Sequence, residues 1–304
     1  MTSEPAVPSP RATTASHGSR PICGVCGGAD IESPVLGSLA RCRACGFVFF
    51  PHTPDLADRV AALYAGDYFT GGEFGDYASQ QPAFRRNFRA YLDRMRRAGA
   101  RGGRLLEVGC AYGFFLDEAR RTFDALGLDV NGAAIAAARA RGANALRQEF
   151  LDFAPAAPFD VVCLWDTIEH VLEPRAYLER SHAVLDADGW LFLTTGDLES
   201  LIARLRGPRW RMIHPPSHLN YFSRTTMTGL LDRTGFDVVS IRSVGTWRDV
   251  ANSLHLLALF SKTPLVKSLA GALDRVLTGR LPSIGFYLNL HDIMFVAARR
   301  RASA

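Results

Sequence analysis

Four cysteines near the N-terminus stand in two matched pairs, Cys23-Gly-Val-Cys26 and Cys42-Arg-Ala-Cys45, and each pair is followed at once by a glycine, Gly27 and Gly46. A CxxC turn aims two sulfurs at one point, and two such turns complete a tetrahedral shell. Glycine supplies the positive φ that the turn beneath a metal requires. A single CxxC can instead be a redox pair, but two matched knuckles with fifteen residues between the inner cysteines have the spacing of a four-thiolate zinc ribbon. The ribbon is predicted over residues 21–52, with Cys23, Cys26, Cys42 and Cys45 as ligands of a structural zinc. So short a segment buries almost no core, so the metal must stabilise it and the chemistry must lie elsewhere.

A second group of residues sits where an apolar run meets a helix, in Glu107-Val108-Gly109-Cys110-Ala111-Tyr112-Gly113. A dinucleotide fingerprint would need glycine at 109, 111 and 114, and the chain has Gly109, Ala111 and Phe114. Pyrophosphate binding demands a very close backbone approach at the helix N-terminus, so this loop predicts a ligand without pyrophosphate. Twenty residues beyond Gly109, Asp129 ends the next apolar run, the position from which a carboxylate accepts hydrogen bonds from ribose hydroxyls. A nucleoside without phosphates satisfies both features.

These residues need a sheet to position them. Leu105 to Val108, Ala125 to Asp129, Val161 to Trp165 and Trp190 to Thr194 read as buried strands, and Phe114 to Arg121, Ala133 to Arg141 and Arg175 to Leu185 read as helices between them. Such alternation predicts an α/β fold, a parallel sheet with helices on both faces. Upstream, residues 81–98 carry Phe84, Phe88, Tyr91, Leu92 and Met95 on one helical face, and Gly99 ends the run. This helix belongs to a connector over residues 53–100, between the ribbon and a catalytic domain over residues 101–304, and its aromatic face is expected to pack on that domain.

With 48% hydrophobic and 21% charged residues the composition is that of a soluble globular protein. Met1 to Arg20 is rich in Pro, Ser, Thr and Ala without apolar periodicity and reads as a flexible tail with no signal-peptide core. No apolar stretch is long enough to span a bilayer, and the expected location is the cytoplasm, where thiols stay reduced. A net charge of +5 is modest. Arginines cluster at 94, 96, 97, 101 and 104 and at 204, 206, 209 and 211, either as solvated helix faces or as a nucleic-acid footprint. Trp210 inside the second cluster is what keeps the footprint open, since an aromatic among arginines can stack a base or a sugar.

Through Leu105-Leu106-Glu107-Val108-Gly109-Cys110-Ala111-Tyr112-Gly113 and Gly127-Leu128-Asp129-Val130, the chain resembles the class I S-adenosylmethionine-dependent methyltransferases over about residues 100–304. The resemblance implies a Rossmann-like, seven-stranded, mostly parallel sheet closed by a reversed C-terminal hairpin, here Val238 to Val244 and Ile293 to Ala298. It maps Gly109, Cys110, Ala111 and Gly113 onto contacts to S-adenosylmethionine, Glu107 onto the acid that orients the loop, and Asp129 onto the ribose-binding acid. Ala111 stands where the usual pattern has glycine.

The segment Phe159 to Pro174 looks like the family's fourth strand and the turn after it, with Trp165 a further cofactor candidate. It contains Glu169-His170, similar to the Glu-His pair of small-molecule methyltransferases. Methyl transfer from a sulfonium is an in-line displacement, so the nucleophile must be aligned and its proton removed. His170 is the candidate base and Glu169 its partner, although a structural role for His170 in the strand-to-helix turn stays open.

His214-Pro215-Pro216-Ser217-His218-Leu219-Asn220-Tyr221-Phe222-Ser223 resembles a box that closes over the acceptor in sugar, polyketide and quinone-type methyltransferases. It makes His218 a catalytic candidate and His214, Tyr221 and Trp210 acceptor contacts. The two histidines do not read as an obvious metal site, because no carboxylate or third histidine accompanies them at ligand spacing. Ser223 is expected to cap the helix that follows.

The implied function is methyl transfer to a hydroxyl or activated carbon of a small-molecule acceptor. The base-methylating members' Asn/Asp-Pro-Pro-Tyr/Phe box is absent, as Trp165-Asp166-Thr167-Ile168 stands there, which counts against nucleic acid. The alternatives are an RNA-binding methyltransferase gripping its substrate with the ribbon and the arginines, or a scaffold that keeps the cofactor without turnover. Leu254 to Leu277, apolar at helical spacing with Lys262, Lys267 and Arg275 interspersed, reads as a lid, the face of a homodimer or a membrane-surface helix.

Overall fold

The computed structural model of the chain describes residues 22–65, 80–249 and 285–302, with isolated positions between 263 and 272. The expected N-terminal tail and nearly all of 254–277 lie outside the described residues.

Three short strands open the chain: β1 (Ile31–Val35), β2 (Leu39–Cys42) and β3 (Val48–Phe49). Helix α1 (Leu56–Ala65) follows, then α2 (Gln81–Ala98), which ends at Gly99 with φ 124°, a conformation that suits glycine. The alternating region then runs β4 (Arg104–Val108), α3 (Phe114–Ala119), β5 (Asp124–Asp129), α4 (Gly132–Ala140), β6 (Ala145–Arg147), β7 (Phe159–Trp165), α5 (Pro174–Val184) and β8 (Leu185–Gly196). After it come α6 (Leu201–Arg206), β9 (Asn220–Tyr221), α7 (Arg224–Arg233), β10 (Phe236–Ser243), β11 (Thr246–Asp249), β12 (Gly285–Leu288) and β13 (Ile293–Arg300).

The central sheet has seven strands in the order β10-β13-β8-β7-β4-β5-β6. Neighbours from β8 to β6 pair in parallel, and β13 and β10 are antiparallel, as expected. Continuous apolar runs such as Val161 to Leu164 are buried because helices cover both faces. On one face Phe88, Tyr91 and Met95 of α2 pack with Phe115, Ile135 and Trp165. On the other, Leu178 of α5 and Met227, Leu230 and Leu231 of α7 pack with Leu106, Val162 and Leu193. From β4 the chain builds β5 and β6 to one side, then returns to lay β7 on the other. The crevice beyond the C-terminal ends of β4 and β7 is therefore the topological switch point, where sheets of this kind bind ligands.

A second sheet, β1-β2-β3-β9, takes its fourth strand from far along the chain: Val48 pairs with Tyr221 and Phe49 with Asn220. Phe47 packs against Phe222 with ring centroids 5.2 Å apart, and Cys23, Val25 and Phe49 share one buried cluster with Ile168, Val171 and Phe222. The ribbon strands thus complete the wall beside the switch point. The antiparallel pair β11–β12 was not evident from sequence. It is held to α2 by Asn87, which accepts the Trp247 N–H at 2.6 Å and donates to the Trp247 carbonyl at 3.2 Å.

Candidate active site

Gly109, Ala111 and Gly113 all have positive φ (77°, 45° and 73°), so the loop after β4 curls back on itself. A Cβ on Gly109 would stand 2.7 Å from Thr167 Oγ1, so a side chain there would collide with the loop after β7. The N–H groups of Gly109 and Cys110 both donate to the Leu128 carbonyl, at 2.8 and 2.9 Å, and tie the loop to β5. Asp129 completes the cradle: Oδ2 accepts the Ala111 N–H at 2.8 Å and Oδ1 accepts the Asn131 N–H at 2.9 Å. Burial raises the Asp129 carboxyl above its ordinary range against the pull of these N–H groups. Each oxygen keeps a lone pair for another donor. Glu107 is 2% exposed, its Oε2 has no hydrogen-bond partner, and burial followed by the charge of Asp129 pushes its carboxyl well above the carboxylate range.

A buried carboxyl with an orphaned oxygen, beside a half-buried one, disfavours a pyrophosphate and suits a ligand that carries positive charge and hydroxyl donors. S-adenosylmethionine, a sulfonium with an ammonium group and a ribose, fits that donor set. Glu107, Gly109, Cys110, Ala111, Gly113 and Asp129 are brought together in this crevice. Trp165 is not: its ring points to the α2 face, 4.9 Å from Tyr91, 5.3 Å from Phe115 and 5.7 Å from Phe295, so its side chain belongs to the core. The reason is strand alternation, which turns the last residue of β7 away from the crevice.

Beyond β7 the chain turns sharply at Asp166, whose φ of 47° is unusual for a non-glycine residue. Thr194 Oγ1 donates to Asp166 Oδ1 at 2.8 Å and accepts the Asp166 N–H at 3.0 Å, while Thr167 Oγ1 reaches the carbonyls of Val108 and Trp165, both at 3.1 Å. Sequence reasoning passed over Asp166 and Thr167, although their place just after a strand in the middle of the sheet was the signal.

Glu169 is 1% exposed, and neither carboxylate oxygen has a hydrogen-bond partner. Burial, then the charge of Asp166, pushes its carboxyl well above the ordinary range, against the weaker pull of its own backbone N–H and the Thr195 hydroxyl. His170 Nδ1 lies 2.8 Å from the Ser217 carbonyl and His218 Nδ1 2.9 Å from the Met212 carbonyl. A carbonyl only accepts, so each Nδ1 carries the hydrogen and Nε2 is the basic nitrogen of the neutral ring. Burial, with His170 and His214 adding to it, holds His218 well below the usual histidine range. The rings of His170 and His218 meet edge to face at 4.5 Å, and His214 lies 3.8 Å from His218.

At ligand spacing in the sequence the loop histidines have no carboxylate, but in space one of them, His218, does. Side-chain ligand atoms of Glu169, His170 and His218 all lie within 4.8 Å of one another, because sheet topology brings two distant loops together.

Two acceptor candidates are displaced from that role. Trp210 is 3% exposed and donates its indole N–H to Asp292 at 3.0 Å, and Arg211 grips the same carboxylate with Nε at 3.0 Å and Nη2 at 2.9 Å. That burial also removes the stacking platform on which a nucleic-acid footprint rested. Tyr221 is buried in β9 and donates its hydroxyl to the His218 carbonyl at 2.8 Å, so it shapes the loop from behind.

At the other end of the second sheet the sulfurs of Cys23 and Cys45 are 3.5 Å apart, as are those of Cys26 and Cys42, and all four lie within 4.8 Å of one another. Zinc–sulfur bonds of ~2.3 Å in a tetrahedron separate the sulfurs by about 3.8 Å, so the cage has the dimensions for such an ion. The N–H groups of Val25 and Gly28 point to the sulfurs of Cys23 and Cys26 at 3.4 Å, the backbone support that thiolate ligands receive. No described cysteine forms a disulfide.

Among solved structures, the chain is similar to an S-adenosylmethionine-dependent methyltransferase from Thermotoga maritima, described as a possible histamine N-methyltransferase. The identity is 18%, 70% of this chain and 91% of that chain are covered, and the TM-score is 0.46. It is also similar to the magnesium protoporphyrin IX methyltransferase of Synechocystis PCC 6803 with bound cofactor (12%, 82% and 98% covered, TM-score 0.48). A third is a methyltransferase from Archaeoglobus fulgidus (17%, 72% and 94% covered, TM-score 0.48). No curated protein matches the chain. A family model described as a methyltransferase domain matches residues 77–241, more than half of the chain, from just before α2 into β10, and takes in the loops after β4, β5 and β7. The chain therefore belongs to that family and is a class I S-adenosylmethionine-dependent methyltransferase.

Proposed function

We propose that the protein methylates a hydroxyl or activated carbon of a small molecule: a sugar, a glycan precursor or a secondary metabolite. The observation that carries this is the convergence of Glu169, His170 and His218 beside the cofactor crevice, joined to it by the Thr167 hydroxyl that reaches the Val108 carbonyl. Glu107, Gly109, Cys110, Ala111, Gly113 and Asp129 hold S-adenosylmethionine, which supplies an electrophilic methyl on a sulfonium. His170, with its proton on Nδ1, presents a basic Nε2 to the acceptor. General-base help of this kind contributes roughly 10²- to 10⁴-fold, and alignment of the acceptor contributes more. His214 lies next to His218 at the acceptor side, and the four cysteines hold a structural zinc that maintains β1–β3 beneath the loop. Titration calorimetry with S-adenosylmethionine, followed by methyl release over a panel of hydroxylated and enolisable acceptors, tests the reading. Cofactor binding without turnover on any member would favour a scaffold.

A further inference from the structure

Outside the four cysteines, the described residues hold one other cluster of metal-ligand type, and it lies where no metal was expected. Glu169 leaves the end of β7, His170 follows it, and His218 comes from the loop before β9. Leu219 and Asn220 donate their N–H groups to the Glu169 carbonyl at 2.8 and 3.0 Å, so the backbone fixes the two loops together with the three side chains facing one point.

Two features distinguish this cluster from a chance meeting. The first is Glu169, whose carboxylate is buried with neither oxygen in a well-formed hydrogen bond and only its own backbone N–H and the Thr195 hydroxyl near enough to pull on it, in a protein interior where unsatisfied polar atoms are costly. The second is the way the imidazoles are held. Each donates Nδ1–H to a backbone carbonyl, which fixes tautomer and orientation and leaves the lone pair on Nε2, the support that metal-bound histidines characteristically receive.

We propose that Glu169, His170 and His218 form a second metal site, for a divalent transition ion of the zinc type. Two imidazoles and one carboxylate suit zinc and its first-row neighbours rather than magnesium or calcium, which favour oxygen shells. Three protein ligands leave a tetrahedral ion one position short, the arrangement of catalytic rather than structural zinc. The carboxylate then has its missing partner. An acceptor hydroxyl or enolate oxygen would be the ligand for the open position, and with the Nε2 lone pair of His170 on the ion it would be the ion, in place of that imidazole, that favours loss of the acceptor's proton. That use rests on the methyl-transfer reading, whereas the site itself does not.

The full-length protein, loaded with zinc, dialysed and measured by mass spectrometry, should retain two equivalents per chain. Glu169→Gln and, separately, His218→Asn should each retain one. A Cys42→Ser, Cys45→Ser double variant should also retain one. With cobalt in place of zinc, the wild type should show the intense thiolate charge-transfer band of a four-cysteine site together with weaker visible bands. Glu169→Gln should lose only the latter and still bind S-adenosylmethionine. One equivalent in the wild type, or two in both Glu169→Gln and His218→Asn, would overturn the proposal. Two equivalents with no methyl release from any acceptor would leave the metal site standing and remove the methyl-transfer reading; turnover by a protein that binds one would do the reverse.

Discussion

Glu169 and Asn220 are bound to each other through their backbones, the Asn220 N–H donating to the Glu169 carbonyl at 3.0 Å, and the Asn220 side chain extends the join by donating to the carbonyls of Val171 at 2.7 Å and Ile168 at 3.2 Å. One buried amide therefore clamps the turn after β7 to the start of β9. Asn220→Ala would leave those carbonyls unsatisfied at a cost of about 1–3 kcal/mol. Because the clamp sets where His218 stands relative to Glu169, turnover should fall while S-adenosylmethionine affinity holds. Thermal unfolding, methyl release and cofactor titration on the same variant check this. An equal loss in cofactor affinity would mean that the two loops are not the acceptor side.

The Glu107 carboxyl, pushed up by burial and by Asp129, holds its proton to higher pH than an exposed glutamate. A cationic ligand in the crevice favours the carboxylate and so drives the proton off. Cofactor binding should therefore release protons at pH values above the ordinary carboxylate range, seen as a binding enthalpy that changes with the ionisation enthalpy of the buffer. Glu107→Gln should abolish that dependence.

Gly127 on β5 faces α3 with no room to spare. A Cβ there would come within 2.6 Å of Leu116 Cδ1 and 2.7 Å of Cys110 Sγ. Gly127→Ala should destabilise the fold by about 1–3 kcal/mol through overpacking. Gly102→Ala, where the nearest atom is the Thr122 carbonyl oxygen at 3.5 Å, serves as the control. Denaturant unfolding of the pair measures the difference.

Acid should loosen the junction of α2 and α3. Glu118 on α3 is buried, which by itself would raise its carboxyl, but hydrogen bonds from Arg89 at 2.8 Å and Arg85 at 2.5 Å outweigh burial and leave it at about 2. A lowered folded-state value stabilises above the ordinary carboxyl range, and the contribution is lost as the pH falls from about 4.5 towards about 2. Melting temperatures followed through that window should drop more steeply for the wild type than for Glu118→Gln.

The parts of this molecule that could be read from residues alone are those built by local rules. The alternation of buried strands with helices, the Phe88-Tyr91-Met95 face of α2, the Ser223 cap and the glycine loop before α3 depend on periodicity and turn chemistry within a few residues. Ser223 does cap α7, accepting the Thr226 N–H at 3.2 Å. What could not be read depends on where distant segments meet. Nothing near His218 in the chain announces Glu169, so a three-residue cluster was hidden behind the absence of a neighbouring carboxylate. Trp210 looked like a binding residue because its arginine neighbours are visible in the sequence, while Asp292, which claims both Trp210 and Arg211, is far along the chain. Trp165 lay on the correct strand, but which face it takes is set by packing against α2.

The ladder between β3 and β9 is only two residues long, yet it decides how this protein can be cut. A chain trimmed to residues 53–304 would lose Val48 and Phe49 and leave Asn220 and Tyr221 with an open hydrogen-bonding edge, beside a Phe222 ring stripped of its Phe47 cover. Bare edges of that kind pair with copies of themselves. The shortened protein should elute as aggregates rather than as a single smaller species, in which case the cysteine-bearing segment and the catalytic sheet have to be expressed as one piece.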